Sequence, residues 1–212
     1  MIHKRVLPDL GDNIKCGNSL IAPDFYNGRQ LDLLDQAELY RVNAFDWEAE
    51  FPEIMNNGGF DAVIGNPPYG HLLNTAEFNY ISSRYPICAS IPDAYVCFIQ
   101  MAHYNLIKDG RFGFIIPSAF LGGPSYKKLR EYLLHFKIET IILLPFDVFK
   151  DAYIDTLLLT TCKLAPSKEH FVITYEYPKK EKISAINLCL ISTSNIKQLS
   201  WKGLDDFKRP LI

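Results

Sequence analysis

Apolar positions along this 212-residue chain alternate between two periods. Short runs rich in aromatic and β-branched residues have the composition of strands, and the stretches between them repeat at helical spacing. Asn13-Ile14-Lys15-Cys16 has the look of a first strand, ended by Gly17-Asn18. Residues 28–40 form a polar helical pattern. A clear strand follows, Phe60-Asp61-Ala62-Val63-Ile64-Gly65, entered from the turn Asn56-Asn57-Gly58-Gly59. Residues 93–108 place apolar groups at helical spacing, with Asp93 as the N-cap and Asp109-Gly110 as the stop. Phe112 to Ile116 reads as a strand and residues 125–136 as a helix capped by Ser125. Ile138 to Leu144 and Ile154 to Cys162 read as strands around the turn Phe149-Lys150-Asp151. Strand and helix patterns in alternation predict an α/β fold with a mostly parallel sheet; the late strand pair, with few residues between its members, predicts an antiparallel edge. Residues 165–212 are weakly patterned apart from a strand at Phe171 to Tyr175, and no internal repeat is present.

Composition narrows the class only slightly. With 48% apolar and 22% charged residues the chain has the balance of a globular protein rather than a disordered one. No apolar run reaches the roughly 18 residues a membrane span needs, and basic residues at the N-terminus have no apolar stretch behind them, so no secretory signal is expected. Cys16, Cys88, Cys97, Cys162 and Cys189 are scattered without a C-x-x-C pair. That pattern predicts neither a disulfide framework nor a zinc site, no metal, and a reducing, cytoplasmic setting. The net charge of −2 conceals a split: residues 1–107 carry 6 Lys/Arg against 13 Asp/Glu, and residues 108–212 carry 16 against 11. The basic half, including Lys127-Lys128-Leu129-Arg130, could face phosphate, or could be ordinary solvated surface.

Candidate chemistry concentrates at Asn66-Pro67-Pro68-Tyr69, directly after the strand that ends in Ile64-Gly65. Ligands of open α/β sheets bind beyond the carboxyl ends of the strands. Two prolines fix φ near −65° and push Asn66 out of the helical region, so the backbone is stiff. A rigid loop can aim the Asn66 amide oxygen and a backbone carbonyl at one point, where they would accept both hydrogens of a planar exocyclic amine. Tyr69 offers a face for stacking a base, worth about 1–3 kcal/mol. Read from the residues alone, the same four positions also suit a stiff turn without chemistry.

The wider context carries a resemblance. FDAVIGNPPYG at 60–70 resembles the catalytic motif of N6-adenine DNA methyltransferases. LPDLGDNIKCGNSLI (7–21), AFDWEAEFPEI (44–54), DAYVCFIQMAHYNLIKDGRFGFIIPSAFL (93–121) and Val148-Phe149 resemble, in order, the gamma-class methylase region of type IIG restriction–modification enzymes. The resemblance covers residues 7–163. It implies a partial Rossmann-like sheet that uses S-adenosylmethionine. It also implies a double-stranded DNA substrate with the target adenine flipped out of the stack. In that reading Asn66 and the Pro67 carbonyl accept the amine hydrogens, Tyr69 stacks on the adenine, Phe149 packs on it from another side, and Pro68 lies beside the donor. His71 is expected to be a surface or substrate-contact residue rather than a base.

Two family features are not found. No F-x-G-x-G donor loop precedes Asn66; Phe120-Leu121-Gly122-Gly123-Pro124 lies on the wrong side of the motif and reads as a turn. The acidic residue that holds the donor's adenine would fall on Asn18 or on Asn43, depending on the alignment, and both are amides. Asp206-Phe207-Lys208 has no acidic partner at nuclease spacing. The expectation is therefore residues 1–164 as a partial catalytic domain and 165–212 as an extension toward a target-recognition domain. Weak donor binding is expected, with the donor-binding and nuclease segments lying elsewhere. Methylation of a protein glutamine or an RNA base, or a non-catalytic DNA-contacting subunit, stay open at this level.

Overall fold

The computed structural model describes residues 10–28, 36–70, 75–91, 93–145, 148, 154–177 and the backbone of 197–200. The chain divides into two compact units, Met1–Asn56 and Asn57–Ile212.

In the first unit the strand expected at Asn13–Cys16 does not form. The N–H groups of Asn13 and Ile14 both turn back onto the Leu10 carbonyl, at 2.9 and 2.8 Å, because Gly11-Asp12-Asn13 has the composition of a turn. Extended pairing comes slightly later, as a parallel bridge between Asn18 and Ala44. Gly17 makes this approach possible, since a Cβ there would sit 2.5 Å from the Phe45 ring. Helices α1 (Gln36–Val42), α2 (Trp47–Glu50) and α3 (Pro52–Asn56) are short. Residues 29–35 of the expected first helix lie outside the described residues. Asp46 caps α2, its carboxylate accepting from the N–H groups of Glu48 and Ala49 at 3.0 and 3.1 Å. Phe45, Trp47 and Phe51 form an aromatic cluster, and the Trp47 indole donates to the Ser19 carbonyl at 3.1 Å.

Among the described residues the second unit is built on one six-stranded sheet: β1 (Phe60–Gly65), β2 (Leu106–Pro117), β3 (Lys137–Leu143), β4 (Thr156–Cys162), β5 (Phe171–Glu176) and β6 (Lys197–Ser200), in the spatial order β1-β2-β4-β3-β5-β6. β1 runs parallel to β2 and β5 parallel to β3. β4 is antiparallel to both β2 and β3, and β6 is antiparallel to β5. Four of the six strands therefore share one direction, and the antiparallel margin is β6. The β3–β4 pair forms as expected, but β4 slots between β2 and β3 rather than taking the margin. Its residues explain this: Thr156, Leu157, Leu159, Thr161 and Cys162 are all buried, as a central strand requires. β5 and β6, which lie beyond residue 164, continue the same sheet.

Helices α4 (Thr75–Arg84), α5 (Ala94–Tyr104) and α6 (Lys127–Leu133) connect the strands. α5 is the buried one, with Tyr95, Val96, Cys97, Ile99 and Ala102 inaccessible to solvent. It stops four residues short of the expected end, because Leu106 is drawn into β2 opposite Phe60. Asp109, at φ +67°, belongs to an irregularity inside that strand rather than to a helix stop. α6 begins after a 3-10 turn at Pro124–Tyr126, so Ser125 is not its cap. Behind the sheet, Tyr95, Phe112, Ile116, Phe120, Leu129, Leu133, Leu157 and Leu159 share one core.

The cysteines depart from expectation. Cys88 and Cys97, both fully buried, are joined as a disulfide with Cα atoms 5.5 Å apart, tying the turn after α4 to α5. Packing brings them together without any short-range cysteine motif. Cys16 and Cys162 are free. Among the described residues no helix is long and apolar enough to cross a membrane.

Candidate active site at the end of β1

β1 delivers residues 66–70 to the carboxyl end of the parallel strands. Its register against β2 places Gly65 opposite Phe114. A Cβ at Gly65 would meet the Phe114 ring at 3.0 Å, so the small residue lets the chain leave close to the core. Pro67 is buried, Asn66 and Pro68 are exposed, and Tyr69 is half-buried with its ring packed against the core.

The Tyr69 hydroxyl lies 3.1 Å from the Asn66 side-chain oxygen and 3.1 Å from the Ile115 carbonyl of β2. Its single proton is shared between these acceptors, and burial pushes the phenol pKa up, which keeps it a donor. Tyr95 meets Tyr69 edge-on, with ring centroids 6.4 Å apart, and Tyr126 lies 6.2 Å beyond Tyr95. Tyr69 therefore holds Asn66 with its hydroxyl from a ring seated in an aromatic bed.

The loop is fixed at its far end as well. The Gly70 N–H donates to an Asp93 carboxylate oxygen at 2.9 Å, and the Gly70 carbonyl accepts from the Ala94 N–H at 2.8 Å. The next loop, beyond β2, is braced by the buried Arg130, whose guanidinium donates to the carbonyls of Phe120 and Gly123 at 2.6 and 2.8 Å. That bracing agrees with reading residues 120–124 as a structural turn.

The structure thus brings Asn66, Pro67, Pro68 and Tyr69 into one loop. Phe149 and His71 lie outside the described residues; Val148 packs beside Leu144, Tyr175 and Tyr177. Asn18 and Asn43 belong to the first unit and are neighbours there, the Asn18 N–H donating to the Asn43 carbonyl at 2.6 Å. The Asn18 side-chain oxygen accepts from the Leu20 N–H at 3.2 Å, and the Asn43 amide donates to the Cys16 sulfur at 3.7 Å. Asn43 holds φ +48°, a conformation asparagine tolerates. The two candidates are therefore joined through their backbones, while their side-chain amides have separate partners. Sequence reasoning missed Asp93 as a loop anchor: an Asp ahead of an apolar helix reads as a cap, and only the fold shows its carboxylate turned to Gly70.

Similarity to known proteins follows the same lines. Residues 4–149 match the family described as Eco57I restriction-modification methylase, and the chain belongs to that family. RM.MjaORFECS2P of Methanocaldococcus jannaschii, provisionally named a type II restriction enzyme and methyltransferase, is 38% identical over 148 residues, covering 68% of this chain and 12% of the relative. The type II restriction enzyme and methyltransferase RM.Eco57I of Escherichia coli is 32% identical over 161 residues, covering 73% and 15%. The chain thus spans less than a sixth of the length of these relatives. Among solved structures, the fold resembles a nuclease-deletion mutant of the Type ISP restriction-modification enzyme LlaGI in complex with a DNA substrate mimic. That match has a TM-score of 0.58 and 18% identity, covering 86% of this chain and 17% of the other. The type IIG restriction endonuclease BpuSI matches with a TM-score of 0.51 and 16% identity, covering 70% and 20%.

Proposed function

We propose that this chain carries the adenine-binding and amine-activating part of a DNA N6-adenine methyltransferase of a restriction–modification system, acting on double-stranded DNA in the cytoplasm. The observation that carries the reading is the Asn66 oxygen, exposed at the end of β1 and already hydrogen-bonded to a donor 3.1 Å away. A flipped adenine would present its amine to this oxygen and to the Pro67 carbonyl, displacing the Tyr69 hydroxyl. Binding both N–H groups localises the nitrogen lone pair and orients it for attack. Tyr69 and Phe149 would hold the base by its faces. No strong base is needed, because the amine becomes acidic once it is methylated.

S-adenosylmethionine, when bound, supplies an electrophilic methyl group. In the first unit, the side-chain amide of Asn18 or of Asn43 would meet the edge of its adenine, and neither residue offers a carboxylate. The family's joint nuclease and methylase names, together with the DNA ligand of the LlaGI structure, favour DNA over a protein glutamine or an RNA.

The test is methyl transfer from labelled donor to duplex DNA by the protein, with and without Asn66→Ala. Loss of one preorganised acceptor should lower turnover on the order of 100-fold, about 2.7 kcal/mol. Unchanged turnover in the variant, or label found in protein instead of DNA, would refute the assignment.

A further inference from the structure

Asp93 precedes α5, where an aspartate ordinarily accepts hydrogen bonds from the first N–H groups of its own helix. Here it makes no such capping bond. One carboxylate oxygen takes the Gly70 N–H at 2.9 Å, and the other faces the Tyr126 hydroxyl at 3.5 Å. The backbone reciprocates, since the Ala94 N–H donates to the Gly70 carbonyl at 2.8 Å. Gly70 itself sits at φ +104°, a conformation that favours glycine. The exposed loop is therefore held at three points: by β1 pairing up to Gly65, by the Tyr69 hydroxyl on Ile115, and by this clasp at Gly70.

The clasp sits four residues from Asn66 and one from Tyr69, and it opposes free pivoting of the loop about the end of β1. The prolines stiffen the loop internally, but stiffness does not set the angle at which the loop leaves the sheet. We propose that Asp93 is a positioning residue for the 66–70 loop, aiming Asn66 and Tyr69 through a charge-assisted hydrogen bond to Gly70. This rests on the adenine-binding reading of the loop. An aspartate is suited to the task because its short side chain reaches Gly70 while its backbone starts the buried helix α5. An asparagine would keep one acceptor for Gly70 and could donate to Tyr126 with its amide. An alanine would keep neither contact.

The experiment compares the full chain with its Asp93→Ala, Asp93→Asn and Tyr126→Phe variants. Amide hydrogen exchange is read at Gly70 and, as an internal reference, at Val96–Ala102. Binding is read by anisotropy with a labelled duplex that carries an adenine opposite an abasic site, which presents the base without needing a recognition sequence. Asp93→Ala should speed exchange at Gly70 at least tenfold, leave the reference amides unchanged, and weaken binding of the probe roughly tenfold. Asp93→Asn should restore both to within about threefold, and Tyr126→Phe should leave both near parental values. Parental exchange at Gly70 in Asp93→Ala, or no rescue by Asp93→Asn, overturns the proposal. If the parent fails to bind the probe, the adenine-binding reading is what fails, and exchange at Gly70 still decides whether the clasp exists.

Discussion

β1 and β4 lie two places apart in one sheet and are built on opposite terms. β4 is paired on both sides, and Leu157, Leu159 and Thr161 along it are inaccessible to solvent. Among the described residues β1 pairs only with β2, and Ile64 near its end is 86% exposed. The strand that carries the candidate chemistry thus contributes little to the core, whereas the strand that anchors the core carries no candidate chemistry. Burial and reactivity have been assigned to different strands, so a substitution can damage one while sparing the other.

That separation can be broken in a graded series. The largest effect is expected from Leu159→Ala, which opens a cavity at the position paired with Phe114 and Ile141 and should cost about 2–5 kcal/mol. Urea unfolding reads the loss directly, and a loss under about 1 kcal/mol would mean that the β4 side is loosely packed.

Acid should attack the same side. His103 is buried against β4, its Nε2 2.8 Å from the Thr161 hydroxyl, and burial, assisted by the charge of Lys163, pushes its pKa down to about 3. A depressed pKa stabilises the fold above the unfolded value of about 6.5, and that contribution is lost as pH falls toward the folded value. The slope from one such proton approaches about 1.4 kcal/mol per pH unit between those limits. Unfolding of the parent and of His103→Gln at pH 7 and pH 5 should show a flatter dependence in the variant.

Arg130→Met should cost about 1–3 kcal/mol by leaving the Phe120 and Gly123 carbonyls without their buried donor. Thermal unfolding checks this, and an unchanged midpoint would show that water replaces the guanidinium. At the bottom of the series, Ile64→Ser should move stability by no more than about 0.5 kcal/mol. A larger loss would show that β1 carries more of the fold than its exposure suggests.

How much of this was legible in the sequence depended on whether the deciding forces were local. The strand at 60–65, the motif after it and the α/β alternation could be read because apolar period, turn residues and proline sterics act within a few positions. The false strand at Asn13–Cys16 failed because Gly11-Asp12-Asn13 favoured a turn over the weak strand propensity that follows. The central place of β4, the Cys88–Cys97 disulfide and the turning of Asp93 toward Gly70 depend on long-range packing, which no local pattern records. The Asn18 and Asn43 alternatives could not be separated from sequence for a related reason: the two residues are hydrogen-bonded neighbours.

The insertion of β4 also governs how the protein can be made. β2 and β3 follow one another along the chain but never pair, and both wait for residues 156–162. On a ribosome, β2 and β3 cannot be joined until β4, the last of these three to be made, has left the exit tunnel, so the nascent chain displays two open edges in the meantime. A chain released before Thr156 should be captured by chaperones or aggregate, whereas one released after Cys162 should have β2, β4 and β3 joined and lack only β5 and β6. Arrest sequences placed on either side of β4 would locate that threshold during synthesis.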